Sequence, residues 1–213
     1  MIVVGGMIGI GKTMTTKMLE EELSLPSFFE TVKGNEILPL FYKATPEEKE
    51  RKRYPFLLQL SFLRARFHTI REALKEENAV LDRSIFEDRY FAKKNFELGN
   101  ISEMEMKIYD SFFKEILQDL QENSKGKKTV LVYLHGSFET VLKRIQSRGR
   151  SFEMGEELIS YYRFLYDGYD EMMRKSYPKD SLVDIDVDKW DLKKDPLAKE
   201  HLFQELKMKG MIE

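Results

Sequence analysis

The sequence contains no cysteine among its 213 residues. Disulfides and thiolate metal sites are therefore excluded, which suits a reducing cytoplasm. A single tryptophan and three histidines, His68, His135 and His201, are present, and the histidines form no ligand spacing with one another. No stretch approaches the roughly 20 apolar residues that a membrane span requires. The first six residues, Met1 to Gly6, lack a basic segment and are soon broken by glycine, so no secretory signal is expected. Neither sign of charge is in marked excess: 35 lysines and arginines face 37 aspartates and glutamates, a net −2. That balance argues against a nucleic-acid polymer as partner. Neither an internal repeat nor a Ser-, Gly- or Pro-rich linker marks a boundary, so one domain over residues 1–213 is expected. The content that remains, 42% hydrophobic and 34% charged residues, is that of a folded globular chain.

Short apolar runs alternate with amphipathic stretches along the chain. Strand candidates are Ile2–Val4, Ser27–Glu30, Ala79–Asp82, Thr129–Leu134 and Ser181–Asp186. Their lack of apolar/polar alternation suits strands buried on both faces, as in a parallel sheet covered by helices. Helical spacing of apolar residues covers Lys12–Leu23, Pro55–Glu76, Phe86–Leu98, Ser102–Gln121, Ser137–Gln146 and Glu156–Lys175. The alternation predicts an α/β fold with a five-stranded parallel sheet flanked by helices, and a ligand site at the carboxyl ends of the strands.

Gly6-Met7-Ile8-Gly9-Ile10-Gly11-Lys12-Thr13 fits G-x-x-x-x-G-K-[ST], with a strand before it and a helix after it. Glycines let the backbone curl so that successive N–H groups face phosphate oxygens, and the helix presents its positive end to the same anion. Lys12 is expected to reach the β- and γ-phosphates and the Thr13 hydroxyl to ligate Mg²⁺. The loop implies a nucleoside triphosphate such as ATP, and leaves the acceptor open. A GTPase would carry an Asn-Lys-x-Asp segment, which is absent.

Two further clusters narrow the class. Asp82-Arg83-Ser84 ends the third strand, where Asp82 can hold the waters of Mg²⁺ and Arg83 can bridge donor phosphate and acceptor oxygen. Arg144, Arg148 and Arg150 fall within seven residues around Gly149 and suit a lid, over about residues 144–153, that closes on transferred phosphate.

The order of the phosphate loop, Phe29-Glu30, Tyr42, Gln59, Arg66, Asp82-Arg83-Ser84 and Arg144, Arg148-Gly149-Arg150, Glu153 resembles the deoxyribonucleoside kinases, and most of all their bacterial deoxyadenosine/deoxyguanosine kinase branch. The resemblance runs from Met1 to about Asp188. It implies that Glu30 takes the proton of the acceptor's 5′-hydroxyl, in a Glu-Thr-Val segment where the family often has Glu-Pro-Val. It implies Gln59 as the reader of the base, Arg66 and Asp88 as a pair beside it, and Tyr42 and Glu153 as ligands of the sugar 3′-hydroxyl. Phe91 and Phe62 are candidates for stacking on the base. A purine or cytosine deoxynucleoside is thereby favoured over a thymine one, deoxyadenosine first, and a homodimer is implied. Two alternatives remain at this point: a thymidylate or other nucleoside monophosphate kinase, and a non-catalytic P-loop nucleotide sensor. Against the first, Asp88-Arg89-Tyr90 falls in a helix rather than at the strand end. Against the second, a sensor needs no base aimed at an acceptor.

Overall fold

The computed structural model describes residues 1–29, 34–148 and 156–212, without the side chains of Arg148, Glu156 and Glu157. Two compact units emerge. The first comprises residues 1–29, 76–84 and 127–213, and the second residues 30–75 and 85–126.

The first unit holds the sheet. β1 (Ile2–Gly6), β2 (Ser27–Phe28), β3 (Val80–Asp82), β4 (Val130–His135) and β5 (Leu182–Asp186) pair in parallel, in the order β2-β3-β1-β4-β5. β1 and β3 are buried at every position, the carboxylate of Asp82 at the end of β3 included. The chain lays β2 and β3 on one side of β1, then β4 and β5 on the other. The winding thus reverses at β1, and in such sheets the ligand crevice lies beyond the carboxyl end of the strand at that point. Register brings two key segments level there: Val4 pairs with Asp82, and Gly6 with Leu134.

α1 (Lys12–Leu23) packs on β1 and β3. The expected helix over Glu156–Lys175 is two helices, α8 (Glu156–Tyr166) and α9 (Tyr169–Ser176). Gly168, at φ 89°, takes a left-handed conformation that no helix interior allows, and the second helix starts from it. The tail after Asp188, where the resemblance ends, folds into α10 (Pro196–Met208). Its N-terminus is capped by Asp195, and it buries Ala198, Leu202 and Leu206, packing on β5.

The second unit is helical among its described residues: α2 (Ile37–Lys43), α3 (Pro46–Lys52), α4 (Tyr54–Ala73), α5 (Ile85–Glu97) and α6 (Glu103–Asn123). α4 is its centre and contacts the four others. Leu63 and Ile70 lie on its buried face, and Gln59 and Arg66 fall on that same face at helical spacing. The chain re-enters the first unit at Lys127, and α7 (Phe138–Arg148) follows β4 there. Among the described residues no helix is long and apolar enough to cross a membrane.

Candidate active site

The glycines of Gly6–Thr13 are set by geometry. Gly9 has φ 80°, and a Cβ there would stand 2.6 Å from Cγ1 of Ile145 on α7. Only glycine allows both the turn and the close approach of that helix. Met7 and Ile10 send their side chains into the core, 3% and 1% exposed, and anchor the loop. Gly11, at φ 115°, precedes α1, and no side chain caps that helix. Its first N–H groups are therefore left for an anion. Lys12 is buried and its ammonium donates to the carbonyls of Gly6 and Met7, inside the curl of the loop.

Thr13 donates its hydroxyl to Oδ2 of Asp82 at 2.7 Å. The hydroxyl that opens α1 and the buried carboxylate that closes β3 thus meet as the register of β1 and β3 demands. The next residue departs from ordinary backbone. Arg83 has φ 87°, a value that costs a non-glycine residue about 1–3 kcal/mol and is kept only where surroundings impose it. Its N–H is held by the Val4 carbonyl at 2.9 Å. Ser84, buried, shares a 2.8 Å hydrogen bond with the phenol of Tyr177.

Arg144, expected at the start of a lid, sits inside α7 and donates from Nη1 to the Ile10 carbonyl of the phosphate loop. That bond sets Arg144 against the wall of the loop. Arg150 and Glu153 lie outside the described residues, as do Glu30 and the side chain of Arg148.

The second unit supplies the other cluster. Arg66 on α4 donates from Nε to Oδ2 of Asp88 at 3.0 Å, and both side chains are almost wholly buried, 3% and 4% exposed. They are not surface ions. Asp88 stands in the first turn of α5, where the positive end of the helix favours its charge. Gln59, two turns before Arg66, is 6% exposed. A buried amide and a buried guanidinium on one face of α4, the latter paired with Asp88 of α5, make a polar patch that a base edge could meet. Asn35 organises the neighbouring α2: its side-chain oxygen accepts from the N–H groups of Ile37 and Leu38, and its amide donates to Ser61 of α4 at 2.9 Å. Tyr42 rides on α2, edge-on to Phe41 and 42% exposed, open to a ligand rather than part of the core. Phe62 and Phe91 are half-buried, and Phe91 lies edge-to-face with Tyr90.

Sequence reasoning missed Tyr177 and Asn35. Tyr177 lies 93 residues from its partner. Asn35 was open to detection, since Asn ahead of an apolar run marks a helix start.

The fold and geometry have counterparts among known proteins. Residues 2–211 match the family model of deoxynucleoside kinases. A deoxyadenosine kinase of Lactobacillus acidophilus is 37% identical over 208 residues, 96% of this chain and 94% of that protein. A deoxyguanosine kinase of the same organism is 38% identical over 196 residues, 89% of this chain and 82% of its own. The structure of a deoxyadenosine kinase from M. mycoides with bound dATP superposes with a TM-score of 0.76 at 26% identity, covering 97% of this chain and 98% of that one. These matches leave no room for the monophosphate kinase or the nucleotide sensor, and β3 indeed ends at Asp82 with Asp88 inside α5. The chain belongs to the deoxynucleoside kinase family.

Proposed function

We propose that this deoxynucleoside kinase transfers the γ-phosphoryl group of ATP to the 5′-hydroxyl of deoxyadenosine, with deoxyguanosine and deoxycytidine as poorer acceptors, in nucleotide salvage. The Arg66–Asp88 pair carries the acceptor reading. An ion pair this deep costs desolvation energy that packing alone does not require, which favours a role in shaping a polar ligand site. Beside it, the Gln59 amide can donate and accept at once, as an adenine edge requires. Tyr42 and Glu153 then hold the 3′-hydroxyl.

Donor binding falls to the first unit. The loop amides of Gly6–Thr13 and the start of α1 cradle the phosphates, and the Lys12 ammonium exchanges its carbonyl partners for β- and γ-phosphate oxygens. The Thr13 hydroxyl and the Asp82 carboxylate, hard oxygen donors 2.7 Å apart, fit Mg²⁺, which when bound draws charge off the phosphate oxygens. Among the described residues no cluster of three His, Asp or Glu side chains could hold a metal, so the fit relies on nucleotide oxygens and water as further ligands.

In the transfer itself Glu30 accepts the 5′-hydroxyl proton as the oxygen attacks phosphorus. The new O–P bond forms as the bond from phosphorus to the β,γ-bridging oxygen breaks, releasing ADP. Arg83, Arg144, Arg148 and Arg150 stabilise the equatorial oxygens, and closure of the segment around residues 144–153 keeps water from competing. The two compact units act together as one kinase domain. The molecule works in the cytoplasm as a homodimer and needs neither membrane nor nucleic-acid polymer.

Turnover of deoxyadenosine, deoxyguanosine, deoxycytidine and thymidine with ATP and Mg²⁺, ranked by kcat/KM, tests the acceptor. Deoxyadenosine is expected first and thymidine last, by about 10²-fold or more. Thymidine at the head of the ranking would overturn the reading.

A further inference from the structure

Arg83 carries a constrained backbone at the site, and two of its anchors are visible. Its φ of 87° places a non-glycine residue in the left-handed region immediately after a buried aspartate. Such a conformation needs fixing on both sides. Upstream, the Arg83 N–H is tied to the Val4 carbonyl of β1 at 2.9 Å. Downstream, the side chain of Ser84 is tied to the hydroxyl of Tyr177 at 2.8 Å. Ser84 is 1% exposed, so its hydroxyl must find its partners within the protein.

Tyr177 is itself well fixed. It follows the last turn of α9 with φ −132° and ψ 139°. Pro178 comes next, and a residue before proline is confined to this extended region. A stiff aromatic side chain on a stiff backbone is suited to holding a position.

We propose that Tyr177 is a positioning residue for phosphoryl transfer: through Ser84 it holds the turn that aims the Arg83 guanidinium. This rests on the reading of Arg83 as a group that acts on the transferred phosphate. Tyr177 touches neither donor nor acceptor in this account, and its effect passes through one hydrogen bond to the residue next to Arg83. Loss of the bond lets the turn relax, so fewer bound complexes present Arg83 correctly. Substrate affinity rests on other residues and stays as it was.

Tyr177→Phe removes only the hydroxyl. It is expected to lower kcat by about 5- to 20-fold, with KM for ATP and for deoxyadenosine within twofold of the wild-type value. Ser84→Ala is expected to do the same, and Tyr177→Phe/Ser84→Ala to be no worse than either, because both break one bond. Ser84→Thr, which keeps the hydroxyl, retains more kcat than Ser84→Ala. Thermal melting of each variant separates a loss of folded protein from a loss of rate. Arg83→Ala tests the underlying reading: if it leaves kcat unchanged, the role of Arg83 fails and this inference with it. If Arg83→Ala abolishes turnover while Tyr177→Phe keeps kcat within twofold, only the positioning role fails. Multiplying losses in the double variant, or an equal rise in KM for both substrates, would also overturn it.

Discussion

Arg66 and Asp88 pose an energetic question that their exposure of 3% and 4% makes sharp. Removing two charges from water costs several kcal/mol per ion, and their mutual attraction seldom returns more than that. Deleting one partner therefore harms more than replacing both. Asp88→Ala strips a buried guanidinium of a carboxylate partner and is expected to cost about 3–5 kcal/mol of stability, measured by urea unfolding. The paired replacement Arg66→Met/Asp88→Leu keeps the volume apolar and is expected within about 1.5 kcal/mol of the wild type. Its kcat/KM for deoxyadenosine should nonetheless fall by at least 10²-fold. Full activity in the folded double variant would make the pair architectural only. Legibility at this scale follows chemistry. Phosphate-loop glycines announce themselves because Gly9 needs φ 80° and no Cβ. The Arg66–Asp88 pair spans 22 residues with no shared period, so only resemblance pointed to it. Arg83 is the wrong residue type for φ 87°, and nothing in its neighbours betrays the strain.

Elements were legible where their apolar period was long. All five strands and the helices α1, α4, α5, α6 and α7 stand close to where pattern puts them, because burial on both faces or on one stripe leaves a mark over many residues. α2 and α3, seven residues each and with none buried, have almost no stripe to read. Their caps carried the only signal, as in Thr45-Pro46, where the Thr45 hydroxyl accepts from Glu48 N–H. α6 shows how much a terminus can do. Ser102 and Glu105 form a reciprocal capping box, and Glu105 also takes a forked ion pair from Arg53. The Arg53 bonds chiefly, with those from Ser102, hold the Glu105 carboxyl down from 4.5 to about 2. A carboxyl lowered in the folded state adds stability above its unfolded pKa, and that stability fades as pH falls from about 4.5 towards 2. Because the Arg53 side chain is 37% exposed, solvent screening limits the contribution to about 1–2 kcal/mol. Glu105→Gln is expected to lower the melting temperature at pH 7 by several degrees, and the gap to wild type should narrow as pH drops below 4. A gap that stays constant down to pH 2.5 would remove the ion pair from the account.

At the scale of the whole molecule, one surface feature calls for a partner. Met104, Ile108 and Phe112 follow one another at four-residue steps on α6, and they are 66%, 42% and 49% exposed. Phe96 and Leu98, at the end of α5, are also exposed. Helical spacing puts the first three on one stripe, and a row of large apolar side chains left to water is the mark of an interaction surface. A stripe carried by a straight helix can pack against its own copy about a twofold axis, each residue meeting an equivalent set. A stable pair of this kind buries about 1,200–2,000 Å² in total, with aromatic residues near its centre. Phe112 is the aromatic member of the stripe. Sedimentation velocity at micromolar concentration is expected to show a dimer of this 25.3 kDa chain, and Phe112→Glu to shift it to monomer through two buried like charges. The monomeric variant should keep the circular dichroism of the folded chain, since Phe112 already stands 49% exposed in its own protomer. If Phe112→Glu and Ile108→Glu both sediment as dimers, the twofold contact lies elsewhere on the molecule and the stripe serves another partner.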